Sequence, residues 1–74
     1  MQMTISLQEA QFWTGAYREL LAVDETALRK MRALVIAHTG SINDYEPDIQ
    51  LVTTEIERVL GRLRFWEDMV ERLR

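Results

Sequence analysis

The C-terminal part of this chain carries apolar residues at steps of three and four, and that spacing constrains its fold most. The positions concerned are Ile49, Val52, Ile56, Val59, Leu63, Trp66, Val70 and Leu73. This spacing places them on one face of an α-helix, as the a and d positions of a heptad repeat. The pattern predicts a long amphipathic helix with a buried seam, which must pack against another element.

The closing segment RLRFWEDMVERLR also carries apolar residues beside that seam. Leu60 and Met69 flank it and widen it beyond a two-stranded coiled coil, which predicts contact with more than one neighbour. Phe65 lies outside the stripe, so it is either without a role or a contact for a second chain. The residues that we predict to take part in interactions are Trp13, Tyr17, Leu63, Phe65, Trp66, Met69, Val70 and Leu73.

The N-terminal part predicts a second helix. Ser6 and Glu9 have the spacing of a capping box, which starts a helix. An apolar stripe follows through Trp13, Tyr17, Leu20, Leu28, Met31 and Val35, joined by Ala16, Val23, Ala27 and Leu34. Asp24 interrupts this stripe, so a kink or a restart with Asp24 as N-cap is an alternative, as is a short strand at ALVIA. Because no Gly or Pro lies near Asp24, we expect a continuous or mildly bent helix over about residues 6–39.

The segment TGSINDYEPD separates the two helices. Gly40 suits the end of the first helix, and Pro47 suits the first position of the second. We therefore predict a single all-α domain over residues 1–74, an antiparallel helical hairpin with a loop over about 40–46 and a second helix over about 47–73. In such a hairpin, Trp13 and Tyr17 lie level with Trp66 and Val70 at the open end.

The small size of the chain predicts association. A chain of 74 residues has a small core, and it contains no cysteine and one histidine, so neither disulfides nor a zinc site of several histidines stabilises it. We expect a homo-oligomer, or docking on a larger partner.

The net charge of −3 argues against nucleic-acid binding, which needs a positive surface. Two basic clusters, at 29–32 and 58–64, leave a local phosphate contact as an alternative. The start MQMTIS has no secretory signal, and the longest apolar run, 33–37, is too short to span a bilayer. We therefore expect a soluble protein with no membrane contact.

Catalytic chemistry has little support in the sequence. Asp44, Glu46, Asp48 and Glu55 have the spacing of some calcium ligands of an EF-hand, but Ile49 stands where the loop requires Gly. His38 lies at the predicted end of the first helix and has no nucleophile or metal-ligand pair near it in the sequence. We predict no catalytic, cofactor-binding or metal-binding residue, and no enzymatic activity.

The two ends of the chain resemble a known family. MTISLQEAQFWTGAYRELLAV and LRFWEDMVERL are similar to the ends of small tailed-phage proteins of the lambda W-type head-tail joining family. The residues that carry the resemblance are Ile5, Ser6, Leu7, Glu9, Ala10, Phe65, Trp66, Glu67, Val70, Arg72 and Leu73. The resemblance implies a non-enzymatic virion protein in a ring between portal and tail, found in the virion or the host cytoplasm.

Between its ends the sequence departs from this family. A Gly-rich hairpin is expected there, whereas DETALRKMRALVIAHTGSIND predicts helix and one turn. Only the class of protein is therefore carried over, with other phage structural proteins or further copies of the chain as the expected partners. Two alternatives stay open, a helical oligomerisation or adaptor module of a bacterial complex and a small acidic inhibitor protein.

Overall fold

The protein is an all-α helical hairpin, as the sequence predicts. The structure is a computed structural model that describes residues 4–37 and 44–74. Helix α1 spans Leu7–Ala37, and helix α2 spans Glu46–Leu73. The two helices pack antiparallel, because Ala10 contacts Trp66 at one end while Val35 and Ile49 line one groove at the other. The segment ALVIA lies in α1, so its interpretation as a strand is wrong.

Helix α1 begins directly after Ser6. The Glu9 amide donates a hydrogen bond to Ser6 Oγ at 3.1 Å, which is one half of the predicted capping box. The helix continues through Asp24 without a break, so the predicted alternative of a restart there is wrong. The predicted end of this helix near residue 39, including His38 and Gly40, lies outside the described residues.

Helix α2 begins at Glu46, slightly before the predicted start. Tyr45 is its N-cap, and Pro47 lies in the first turn, where a missing amide hydrogen leaves no intrahelical bond unmade. Glu46 and Asp48 place negative charge at the positive end of the helix dipole. The start of α2 is thus set by proline and charge rather than by a side-chain cap.

The seam of α2 packs against α1 as predicted, but its burial varies along the helix. Val59, Leu63, Trp66 and Val70 are buried, whereas Ile49, Val52 and Ile56 are half-buried. Leu73 is 38% exposed, because it lies in the last turn of α2, where little of α1 remains to cover it. The tightest packing is at the open end, where Ala10 lies against Trp66 and Val70, with Ile5, Leu7, Tyr17 and Met69 around them.

The face of α1 that packs against α2 differs from the predicted one. It consists of Ala10, Thr14, Tyr17, Leu21, Asp24, Leu28, Met31 and Val35, which are all buried or half-buried. Trp13, Leu20, Val23 and Leu34 are instead exposed, so their predicted burial is wrong. The physical reason is that α1 has two apolar stripes, and at about 100° per residue the second lies roughly a quarter-turn from the first. The sequence-based prediction merged the two.

Asp24 is a polar member of the α1 seam. Its side chain is half-buried, and its Oδ2 atom is buried without a hydrogen-bond partner among the described residues. The side chain lies close enough to Arg58 of α2 for its charge to help raise the pKa of that guanidinium, after the larger effect of Glu55. A carboxylate oxygen without a hydrogen bond is costly in a helix interface.

Replacement of Asp24 by leucine is expected to stabilise the hairpin. Asp24→Leu removes the unpaired oxygen and adds apolar area at a seam position, so the free energy of unfolding should rise by about 1 to 2 kcal/mol. The measurement is urea unfolding followed by circular dichroism at fixed protein concentration. Glu25→Leu is the control, since its exposed neighbouring site should change stability by less than about 0.5 kcal/mol. A lower stability of Asp24→Leu would show that the Arg58 interaction outweighs the desolvation.

Substitution of Trp66 is expected to destabilise the hairpin more than substitution of any other single residue. Trp66→Ala leaves a cavity beside Ala10 and Val70, and should lower the free energy of unfolding by about 3 to 5 kcal/mol. The matched control is Phe65→Ala. Because Phe65 is 44% exposed, its truncation should lower the free energy of unfolding much less. The free energy of unfolding of both variants is measured from the loss of helicity in denaturant. A decrease below about 1 kcal/mol for Trp66→Ala would contradict the assigned packing.

Candidate protein-interaction surface

Four aromatic rings form a continuous row across the open end of the hairpin. Phe12 and Trp13 come from α1, and Phe65 and Trp66 come from α2. The ring centroids of Trp13 and Trp66 are 6.0 Å apart and nearly parallel, at 21°. Phe12 lies edge-on to Trp13 at 5.3 Å, and Phe65 lies edge-on to Trp66 at 5.1 Å. We call these four residues the aromatic row.

The row has one buried ring and three exposed ones. Trp66 occupies a seam position and is only 9% exposed, whereas Phe12 is 65% and Trp13 41% exposed. The seam therefore fixes Trp66, and Trp66 in turn supports the rings beside it. Both helices present their rings through the same Phe-Trp dipeptide, which places one ring near the seam and the other on the adjacent surface.

A basic side chain borders the row. The Arg62 guanidinium carbon lies 4.9 Å from the Phe65 ring centroid and 5.9 Å from that of Trp66, which is cation–π distance. The Trp66 indole Nε1 is buried without an acceptor in the described part of the chain. The row thus combines apolar rings with one cation, a composition typical of protein-protein contact surfaces.

The opposite edge of the same end is polar. Arg18 of α1 donates a hydrogen bond to Glu67 of α2 at 3.1 Å, which ties the helices together across that edge. Both groups are substantially exposed, so the ion pair contributes at most about 1 kcal/mol. A groove there is lined mainly by charged and polar groups, including Gln11, Glu71 and Arg74. The two edges therefore differ in chemistry, and only the aromatic one offers an apolar contact area.

The charged groups along the aromatic edge pair within α2. Arg58 donates to both carboxylate oxygens of Glu55, at 2.6 and 3.1 Å. This side-chain hydrogen bond holds the pKa of Glu55 below its ordinary value. The pair is solvated at neutral pH and leaves Arg62 as the cation nearest to the rings.

The predicted interaction residues divide into three groups. Trp13, Tyr17, Phe65, Trp66 and Met69 lie at or beside the aromatic row. Leu63 and Val70 are instead buried in the contact between α1 and α2, and Leu73 lies exposed in the last turn of α2.

Two members of this surface, Phe12 and Arg62, were missed from the sequence. Phe12 does not fit the stripe of α1, but the Phe-Trp dipeptide that it shares with 65–66 was an available signal. Arg62 was recognised only as part of a basic cluster, and its contact with Phe65 depends on the helical spacing of three residues.

Other kinds of site have little geometric support in the described residues. Over 4–37 and 44–74, no group of three or more His, Cys, Asp or Glu side chains is placed to hold a metal ion. In the same ranges neither helix is long and apolar enough to cross a membrane.

Comparison of the chain with protein-family models, with curated proteins and with solved structures found no match in any of the three. The function is therefore inferred from the hairpin and its surfaces.

Proposed function

We propose that this protein is a non-enzymatic structural or assembly protein that works by protein-protein contact through its aromatic row. The observation that carries the proposal is the row itself, with three exposed rings on a buried tryptophan. Tryptophan, tyrosine and arginine dominate binding energy at protein interfaces, most strongly where the rings are held rigidly. A surface of this kind, next to Arg62, favours a protein partner with apolar and acidic groups.

The setting proposed for this role is a tailed-phage virion, at the head-tail junction. The residues that carry the resemblance to the head-tail joining family lie together in the hairpin, since Ile5, Leu7 and Ala10 pack with Trp66 and Val70. This juxtaposition supports a shared purpose for the two terminal motifs, which are distant in the sequence. Portal or tail proteins are then the partners of the aromatic row.

A helical adaptor of a bacterial complex is the second candidate. It is favoured by the same aromatic row, which a cellular partner protein can bind as well as a virion protein can. The two candidates differ in when the protein is needed, because only a virion component is required to join completed heads to tails.

Removal of the gene from its source phage tests the virion setting. We expect loss of plaques and the accumulation of separate heads and tails in electron micrographs, because the joining contact is missing. The intact gene supplied in trans should restore joined particles. Joined, infectious virions in the absence of the gene would contradict the virion setting and favour the adaptor.

Truncation of two exposed rings tests the aromatic row directly. Phe12→Ala combined with Phe65→Ala should lower the plaque titre in this complementation assay at least tenfold, because each ring removed from an interface costs about 1 kcal/mol or more. Leu51→Ala is the control, since Leu51 is 71% exposed at the other end of α2. Equal titres for both variants, with unchanged helicity, would exclude the row as the contact surface.

A further inference from the structure

The outer face of α1 carries an apolar stripe that α2 leaves largely exposed. It runs through Trp13, Ala16, Leu20, Val23, Ala27 and Leu34, at steps of three and four with Lys30 at the one remaining position. Leu20 is 43%, Val23 67% and Leu34 51% exposed. A shallow groove lined by Val23, Thr26, Ala27 and Lys30 lies along it. We call this face the outer stripe.

The exposed area of the chain is larger than a compact monomer requires. The chain exposes 5914 Å², whereas a compact protein of 8.7 kDa exposes about 4,700 Å². The excess, roughly 1,200 Å², exceeds the 800 Å² or so that each partner contributes to a standard protein interface. The hairpin is correspondingly elongated, with principal extents of 55 × 20 × 15 Å.

The spacing of large and small residues on the stripe fits a second copy of itself. When two α1 helices pack antiparallel about a two-fold axis level with Glu25, Val23 faces Ala27 of the other copy and Ala16 faces Leu34. Trp13 then faces Ala37, so a large side chain meets a small one in each of these layers. The register half a heptad nearer the N-terminus pairs Ala16 with Ala27 and Leu20 with Val23, which sets two small residues together in one layer and two large ones in another.

The charges on α1 fit the same register. Lys30 then faces Leu20 of the other copy and lies beside Glu19, and the two-fold axis creates this pair twice. Glu19 and Lys30 are both exposed and lie on the flank of the outer stripe that faces away from α2. Within one chain they are three helical turns apart, so neither can neutralise the other.

We propose that two copies of this chain form an antiparallel dimer through the outer stripe of α1, with Lys30 of each copy paired to Glu19 of the other. This inference deepens the proposed assembly role and rests on it for its biological purpose, but it concerns a face that shares only Trp13 with the aromatic row proposed to bind portal or tail. The dimer is a four-helix arrangement in which each α1 contacts its own α2 and the other α1.

Charge reversal tests the dimer. Lys30→Glu turns two attractive contacts into repulsive ones and should weaken dimerisation by roughly 4- to 30-fold, measured by sedimentation equilibrium. Glu19→Lys should do the same, and the double variant should restore the affinity. Arg29→Glu is the matched control, because it makes the same charge change one residue away on the opposite side of α1. Circular dichroism of each variant verifies that the hairpin is folded.

Cysteine cross-linking tests the register, and the chain has no cysteine of its own. A mixture of Val23→Cys and Ala27→Cys chains should form mixed disulfides in preference to those of either variant alone. A mixture of Leu20→Cys and Val23→Cys chains should show no such preference for mixed disulfides. Preferential linkage of Leu20→Cys to Val23→Cys would establish the other register and overturn the pairing.

A monomer at every concentration, or a dimer unaffected by Lys30→Glu, would overturn the proposal and leave the outer stripe for a different protein. The proposed function is judged separately, since the Phe12 and Phe65 variants are read by plaque titre and not by dimer mass. A monomer that still joins heads to tails would contradict the dimer alone. A dimer without any role in the virion would contradict the function alone.

Discussion

A helix packs one stripe, about 100° wide, against a single neighbour, and α1 of this hairpin carries two such stripes. Helix α2 covers the one that runs through Ala10, Tyr17 and Leu28, which leaves Leu20 and Val23 exposed. The choice follows from packing at the open end, where Ala10 is fully buried beneath Trp66 and Val70. A small residue at that point lets the indole lie against α1. This contact sets the rotation of α1 about its own axis. It therefore determines which stripe of α1 faces α2 and which one is exposed.

This constraint explains which parts of the fold could be predicted from the sequence. Helix α2 has one apolar stripe, so its spacing assigns Val59, Leu63 and Trp66 to the seam without ambiguity. Helix α1 has two stripes, and a hydrophobicity pattern cannot tell which of them α2 covers. Asp24 appeared to interrupt a single stripe, whereas it is a polar member of the seam. The small residues Ala10 and Thr14 gave a weak hydrophobic signal, although both are buried.

The aromatic row was predicted in part, for a similar reason. The antiparallel hairpin brings Trp13 level with Trp66, which the loop length already indicated. Phe12 follows no apolar periodicity, so only its position next to Trp13 in the sequence indicates that it belongs to the row. The contact between Arg62 and Phe65 depends on side-chain direction, which sequence spacing allows but does not require. Burial of Trp66 with exposure of its neighbours is a property of the folded hairpin alone.

The two surfaces of α1 meet at Trp13, which belongs both to the aromatic row and to the outer stripe. In the proposed dimer the two-fold axis lies level with Glu25, so the two rows stand at opposite ends of the four-helix arrangement. At 1.5 Å per residue, each row lies about 18 Å from the axis, and the rows are roughly 36 Å apart. Such a dimer holds two partner molecules at a fixed spacing, or binds two sites on one ring-shaped protein assembly. Binding at one end raises the effective concentration for binding at the other, so a low affinity of each aromatic row for its partner is sufficient for a stable assembly.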